Sequence, residues 1–170
     1  MKSIKILILA VLALTLNSCG DDDSPGVELT SENLAGTYDI TFLRSSYEET
    51  VTASNGTTFV SESGTTVGDT FTDAIWQFNT NGTYSVSGSY RVTETTTSNG
   101  QTETDTYIDF LDDSGSFILN NMDRTIVADG LFYDVTVFDG TNLYLTFEET
   151  DTFGNEVEVS RGEIRLVKQQ

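Results

Sequence analysis

Reactive side chains are few in this chain and unevenly spread. Among 170 residues there is no histidine and a single cysteine, Cys19. Without imidazole, Ser-His-Asp hydrolysis, Cys-His catalysis and histidine-based zinc or haem sites are excluded. One thiol excludes an internal disulfide and a thiolate cluster. Carboxylate, by contrast, is abundant, with 27 Asp+Glu against 8 Lys+Arg. Pairs drawn from Asp109, Asp112, Asp113, Asp134, Glu148 and Glu149 could support glycoside hydrolysis, which needs an acid and a base about 5 to 9 Å apart. In so acidic a chain, close pairs arise by chance and no member stands apart, so no catalytic residue is assigned. Asp112-Asp113-Ser114-Gly115 and Asn120-Asn121-Met122-Asp123 are oxygen-rich enough for calcium, but such stretches also make ordinary turns. No metal site and no cofactor is expected. The net charge of −19 argues against nucleic-acid binding, because phosphates call for Lys and Arg.

Cys19 gains its meaning from what surrounds it. Met1-Lys2-Ser3-Ile4-Lys5 is a short basic start, and Ile6 to Leu16 is an almost unbroken apolar run. The run is too short for a bilayer span, which takes about 20 residues, but suits the apolar region of a signal peptide. It ends in Leu16-Asn17-Ser18-Cys19, which resembles the lipobox of bacterial lipoproteins. That resemblance implies a signal peptide over 1–18, cleavage before Cys19, and lipid on its thiol and new amine. Each buried methylene adds about 0.8 kcal/mol, so several acyl chains hold a protein on a membrane. Gly20-Asp21-Asp22-Asp23-Ser24-Pro25-Gly26 then begins an acidic, flexible tether, read as residues 19–32 together with Cys19. The acidic run after the cysteine resembles the surface-export signal of Bacteroidota-type lipoproteins. It implies a lipid-anchored, surface-exposed protein of the outer membrane, with a solvated linker facing the periplasm as the alternative.

The rest of the chain, 33–170, has period two. Tyr38, Ile40 and Phe42 alternate with polar residues, as do Tyr84, Val86, Gly88, Tyr90 and Val92. Similar alternation runs through Leu131–Val137 and Leu143–Phe147. Apolar-in, polar-out alternation predicts antiparallel strands with one wet face. Asn55-Gly56, Asn81-Gly82, Asn99-Gly100, Asp139-Gly140 and Gly154-Asn155 punctuate the runs as hairpin turns. A phase slip between Val159 and Ile164 predicts a β-bulge near Gly162. Glu48 to Asp69 reads as a long hairpin or mobile loop, and Ser31 to Leu34 as one turn of helix. Together these predict an all-β domain: an antiparallel up-and-down β-barrel of about eight to ten strands, since closure removes the edges. A two-sheet sandwich is the alternative.

Leu34-Ala35-Gly36-Thr37-Tyr38 resembles the Leu-x-Gly-x-Trp start of lipocalin-like domains. Phe78-Asn79-Thr80-Asn81-Gly82-Thr83-Tyr84 and Gly88-Ser89-Tyr90 resemble later motifs of that family, as does the ending Ile164-Arg165-Leu166-Val167-Lys168. The resemblance implies a barrel with an open mouth, with Arg165 or Arg161 packed over Tyr38. Tyr38, Phe42, Trp76, Phe78, Tyr84, Tyr90, Phe110, Tyr133 and Phe147 are then candidates to line a ligand cavity. The same aromatics could equally fill the interior as core. Gly88, within an inward row, hints at open space or a kink. Two functions stay open. One is non-catalytic binding of a small apolar or amphipathic molecule by a protein whose other partner is the membrane. The other is a structural or adhesion-type interaction module with a packed core and an unknown protein partner.

Overall fold

The computed structural model describes residues 27–170. Cys19, the apolar run before it and the acidic run Asp21–Asp23 lie outside the described residues. A single helical turn, α1 (Ser31–Leu34), precedes eight strands: β1 (Gly36–Thr52), β2 (Thr58–Phe78), β3 (Thr83–Ser98), β4 (Gln101–Asn120), β5 (Thr125–Ala128), β6 (Leu131–Phe138), β7 (Asn142–Phe153) and β8 (Glu156–Lys168). Each strand pairs antiparallel with the next, and β8 pairs with β1, so the sheet closes as an up-and-down barrel. All five predicted Asn/Asp/Gly turns fall at strand junctions. Glu48 to Asp69 is a long β1–β2 hairpin with one register shift, between Glu49 and Thr50.

The core sits at the end of the barrel that α1 closes. Tyr38, Phe78, Tyr84, Phe117, Ile126, Leu143, Leu145 and Leu166 are buried there. Tyr38 and Phe117 each meet Phe78 edge-on, with centroids 5.8 and 5.4 Å apart. The α1 segment plugs this end. Thr30 caps the helix by accepting from the Asn33 N–H, and Leu29 and Leu34 are 2% and 0% exposed. Residues 29–32, expected to belong to a flexible tether, are instead part of the folded domain, because an apolar side chain at the barrel's end is worth burying.

The strands differ greatly in length, and this shapes the other end. β2 and β4 have 21 and 20 residues, whereas β5 has 4 and β6 has 8. β4 pairs with β5 only from Phe117 to Asn120, and β7 pairs with β6 only from Leu143 to Thr146. Above those rungs the ring is open. Gln101–Ser116 pairs with β3 alone and Glu148–Phe153 pairs with β8 alone. The β5–β6 turn explains the short hairpin. Asp129 (φ 50°) and Gly130 (φ 82°) occupy the left-handed region, the geometry of a tight two-residue turn. This Asp-Gly signal escaped the sequence reading.

Two irregularities differ from expectation. β8 runs in unbroken register past Gly162 against both neighbours, so the predicted bulge there does not exist. Val157 and Val159 face outward, and Gly162 faces inward beneath the Phe147 ring, where a Cβ would collide with it. The real bulges lie elsewhere. A first site shifts β1 against β8 between Ile40 and Phe42, and a second shifts β2 against β3 between Asp69 and Ile75; β1 also shifts against β2 between Asp39 and Leu43 and between Glu49 and Thr50, and β6 against β7 between Val135 and Val137. At the second site Thr70 and Asp73 have φ of 51° and 47°. Gly88 (φ 116°) sits against it, and a Cβ there would strike the Asp73 carbonyl. Gly88 therefore marks a kink with close backbone approach, not open space.

Candidate functional site

The window left by the short β5–β6 hairpin opens into a cavity of about 420 Å³. Trp76, Tyr84, Val86, Leu111, Ala128, Leu131, Tyr133 and Ile164 line it, with Asp112, Asp113, Asp129 and Phe110. The volume falls in the range of small-molecule sites, about 300–1,000 Å³. A second hollow, of about 300 Å³ beside Ser46, Ser63, Thr95 and Arg161, is lined mainly by polar side chains.

Strand register sets the lining. On β3, Tyr84 and Val86 stand opposite Gly115 and Asp113 of β4, and Gly88 stands opposite Leu111. Inward positions on β4 are thus Asp109, Leu111, Asp113 and Gly115. The Tyr84 ring leans over Gly115, and its hydroxyl donates to Asp113 at 2.8 Å. Tyr90 repeats the arrangement, donating to Asp109 at 3.0 Å, while its ring stacks on Phe71 at 5.8 Å. Trp76 is the aromatic hub. It stacks on Phe78 at 5.3 Å, and meets Tyr84 at 5.9 Å and Tyr133 edge-on at 5.8 Å. Among the described residues, its Nε1–H is the buried side-chain polar atom left without a partner. An unpaired buried donor costs about 1–3 kcal/mol.

The electrostatics of the site are one-sided. Burial, followed by the charges of Asp113, Glu149 and Asp129, pushes the Tyr133 hydroxyl up to about 12. Burial, then the bond to Asp113, raises Tyr84 well above the ordinary tyrosine range. No Lys or Arg lines the cavity. Arg91, Arg161 and Arg165 are spent on outward ion pairs with Asp69, Glu148 and Glu163, and Lys168 lies over Tyr38 at the closed end.

The aromatics expected to line a cavity divide. Trp76, Tyr84 and Tyr133 do line it. Tyr38 and Phe78, 0% and 1% exposed, are core below it. Phe147 meets Tyr133 edge-on at 5.9 Å and covers Gly162, while Tyr90 packs with Phe71 higher on β3. Phe110 alternates outward on the open edge, 77% exposed, and touches only the mouth. Phe42 is a correction: the β1 bulge turns it outward, where the Arg165 guanidinium lies 4.6 Å from its ring. Arg165 also covers Tyr144 at 5.3 Å, so the cation expected over Tyr38 is neither Arg165 nor Arg161 but Lys168, at 5.5 Å. Asp112–Gly115 is strand, neither the ordinary turn nor the calcium loop its residues suggested, and Asn120–Asp123 is a turn closed by its own side chains. Val86, Leu111, Leu131 and Asp129 were missed as lining. Val86 belongs to a legible inward row, but the others depend on where β4 meets the short hairpin.

No known protein family and no curated protein matches the sequence. Among solved structures, an S-type phycobiliprotein lyase from Guillardia theta is similar at 11% identity, with a TM-score of 0.24. That likeness covers 82% of this chain and 90% of the other, and is too loose to carry an argument about ligand or activity.

Proposed function

We propose that this chain is a lipid-anchored protein of a bacterial cell envelope whose lipocalin-like barrel binds a small apolar or amphipathic molecule without chemically altering it. The observation that carries the binding reading is the 420 Å³ cavity, floored by Trp76, Tyr84, Val86, Tyr133 and Ile164 and reached through a side window. Its floor is apolar and aromatic, and its polar groups gather at one edge, the usual build of a small-molecule site. The anchoring reading rests on Leu16-Asn17-Ser18-Cys19 behind a basic start and an apolar run. The outer face of the outer membrane rests on the resemblance of the acidic run after Cys19 to a Bacteroidota-type surface-export signal.

Native mass spectrometry of the protein taken from its natural envelope, before and after organic extraction, tests binding. A reproducible extra mass lost on extraction is the expected result. A clean mass, with no ligand recovered in the extract, would overturn it. Detergent-phase partitioning tests the anchor: the protein should enter the detergent phase and the Cys19→Ser variant should stay in the aqueous phase. Equal partitioning of the two would defeat the anchor and leave the cavity untouched.

The second reading, an interaction module, draws on Ile118 and Phe132, 69% and 63% exposed and both opposite Val127 in the sheet. It becomes the better account if extraction yields nothing and the protein is recovered with a second chain.

A further inference from the structure

Resting on the reading of the window cavity as a small-molecule site, we propose that it selects an amphipathic cation, a molecule with an aromatic or aliphatic body and a protonated amine. The body would lie on Trp76, Val86, Tyr133 and Ile164, and the amine at the mouth beside Asp113 and Asp129.

Three observations converge on this class. The first is shape: an apolar floor reached past a polar edge orders an occupant, with its body inward and its polar end outward. The second is sign. Asp112, Asp113 and Asp129 border the cavity and no cation does. Of these, Asp113 lies on the inner face of β4, with Tyr84 donating to one of its oxygens and the Ser114 N–H to the other. Those bonds fix the carboxylate's direction and leave lone pairs on both oxygens for an ammonium donor. The third is the aromatic lining, since the rings of Trp76 and Tyr133 on the cavity floor offer flat apolar surface on which the body of such a molecule packs. An anion would meet repulsion from the mouth and find no Lys or Arg to balance its charge, the Trp76 Nε1–H being the buried donor left unpaired. A neutral molecule would gain only the floor.

The fold extends the bias beyond the mouth. Inward positions continue up the open half of the sheet through Asp109 on β4 and Glu149 on β7. A concave surface of one sign concentrates counter-charged molecules and speeds their arrival.

Trp76 is the sole tryptophan, so its fluorescence reports occupancy directly. The test titrates the full chain with 2-phenylethylammonium, neutral 2-phenylethanol and anionic 3-phenylpropanoate, bodies of nearly equal size. The cation should quench or shift the Trp76 emission saturably, with a Kd at least tenfold below that of the alcohol, and the anion should not saturate. Asp113→Asn and Asp129→Asn should each weaken the cation fivefold or more and leave the alcohol unchanged. Both substitutions keep an oxygen acceptor, and Asn tolerates the left-handed backbone at position 129. Unchanged circular dichroism and melting temperature would confirm that the variants fold. Equal affinity for cation and alcohol, indifferent to both substitutions, would sink the charge selection and leave the cavity as a binding site. No response to any probe, together with nothing recovered on extraction, would remove the binding reading itself.

Discussion

The Tyr84 hydroxyl donates a 2.8 Å hydrogen bond to Asp113, its ring passing over Gly115 to reach a carboxylate two residues along the facing strand. The bond joins the aromatic floor of the cavity to its acidic mouth, so the two parts of the site hold each other in place. Tyr84→Phe should lower stability by about 0.5–1.5 kcal/mol, the net worth of such a bond. Urea unfolding would measure it. A change below a few tenths of a kcal/mol would mean that Asp113 is positioned by the strand alone.

The buried tyrosines make the fold sensitive to alkali. Burial pushes Tyr38 up to about 12, and burial with neighbouring carboxylates does the same for Tyr133. In the unfolded chain both ionise near pH 10. Above that pH the unfolded state releases protons that the folded state keeps, so stability falls as pH rises from about 10 to 12. Below pH 10 these groups leave stability flat. Tyrosinate absorbance should rise with unfolding in that window. Full tyrosine ionisation at pH 10.5 with an intact fold would contradict the burial of both rings.

Gly162 and Phe147 form a matched pair in which the ring occupies the space a side chain at 162 would need. Gly162→Ala should destabilise by about 1–3 kcal/mol through overpacking. In the Phe147→Leu background the same change should cost clearly less, because a smaller side chain can move aside. Additive losses in this double-mutant cycle would show that the two positions do not compete for one space.

Leu29 tests where the folded domain begins. It is 2% exposed at the closed end of the barrel, and Leu29→Ala should cost about 2–5 kcal/mol, as deletion of a buried leucine does. Thr30→Ala, which removes the cap on α1, should cost about 1 kcal/mol. Chemical denaturation would read both. A silent Leu29→Ala would return residues 27–32 to the tether.

Val86 points into the cavity from the middle of β3. Val86→Phe should fill part of the 420 Å³ and reduce the mass released on extraction while the fold persists. Unchanged release from a folded variant would place the ligand elsewhere.

Much of the architecture was readable because period-two alternation and Gly-containing turns are local signals. Tyr84, Val86, Tyr90 and Val92 share a face for no reason beyond the pleat, and Asn99-Gly100 turns wherever two such strands meet. Where alternation misled, a distant partner was responsible. Phe42 follows Ile40 in perfect phase, yet β8 pairs across a bulge and turns it outward to Arg165. Gly162 looked like a broken phase because its role, making room for Phe147, belongs to the neighbouring strand.

The sequence by itself determined an all-β, strongly acidic domain without imidazole chemistry, because composition and pleat periodicity act residue by residue. It also placed Trp76, Tyr84 and Tyr133 among the inward aromatics. Only the tertiary structure decided which aromatics are core and which face space. That division depends on β5 being 4 residues long beside a β4 of 20, which leaves one flank of the barrel unpaired. A cavity is what packing fails to fill, and it belongs to the relation between strands far apart in the chain rather than to any one of them.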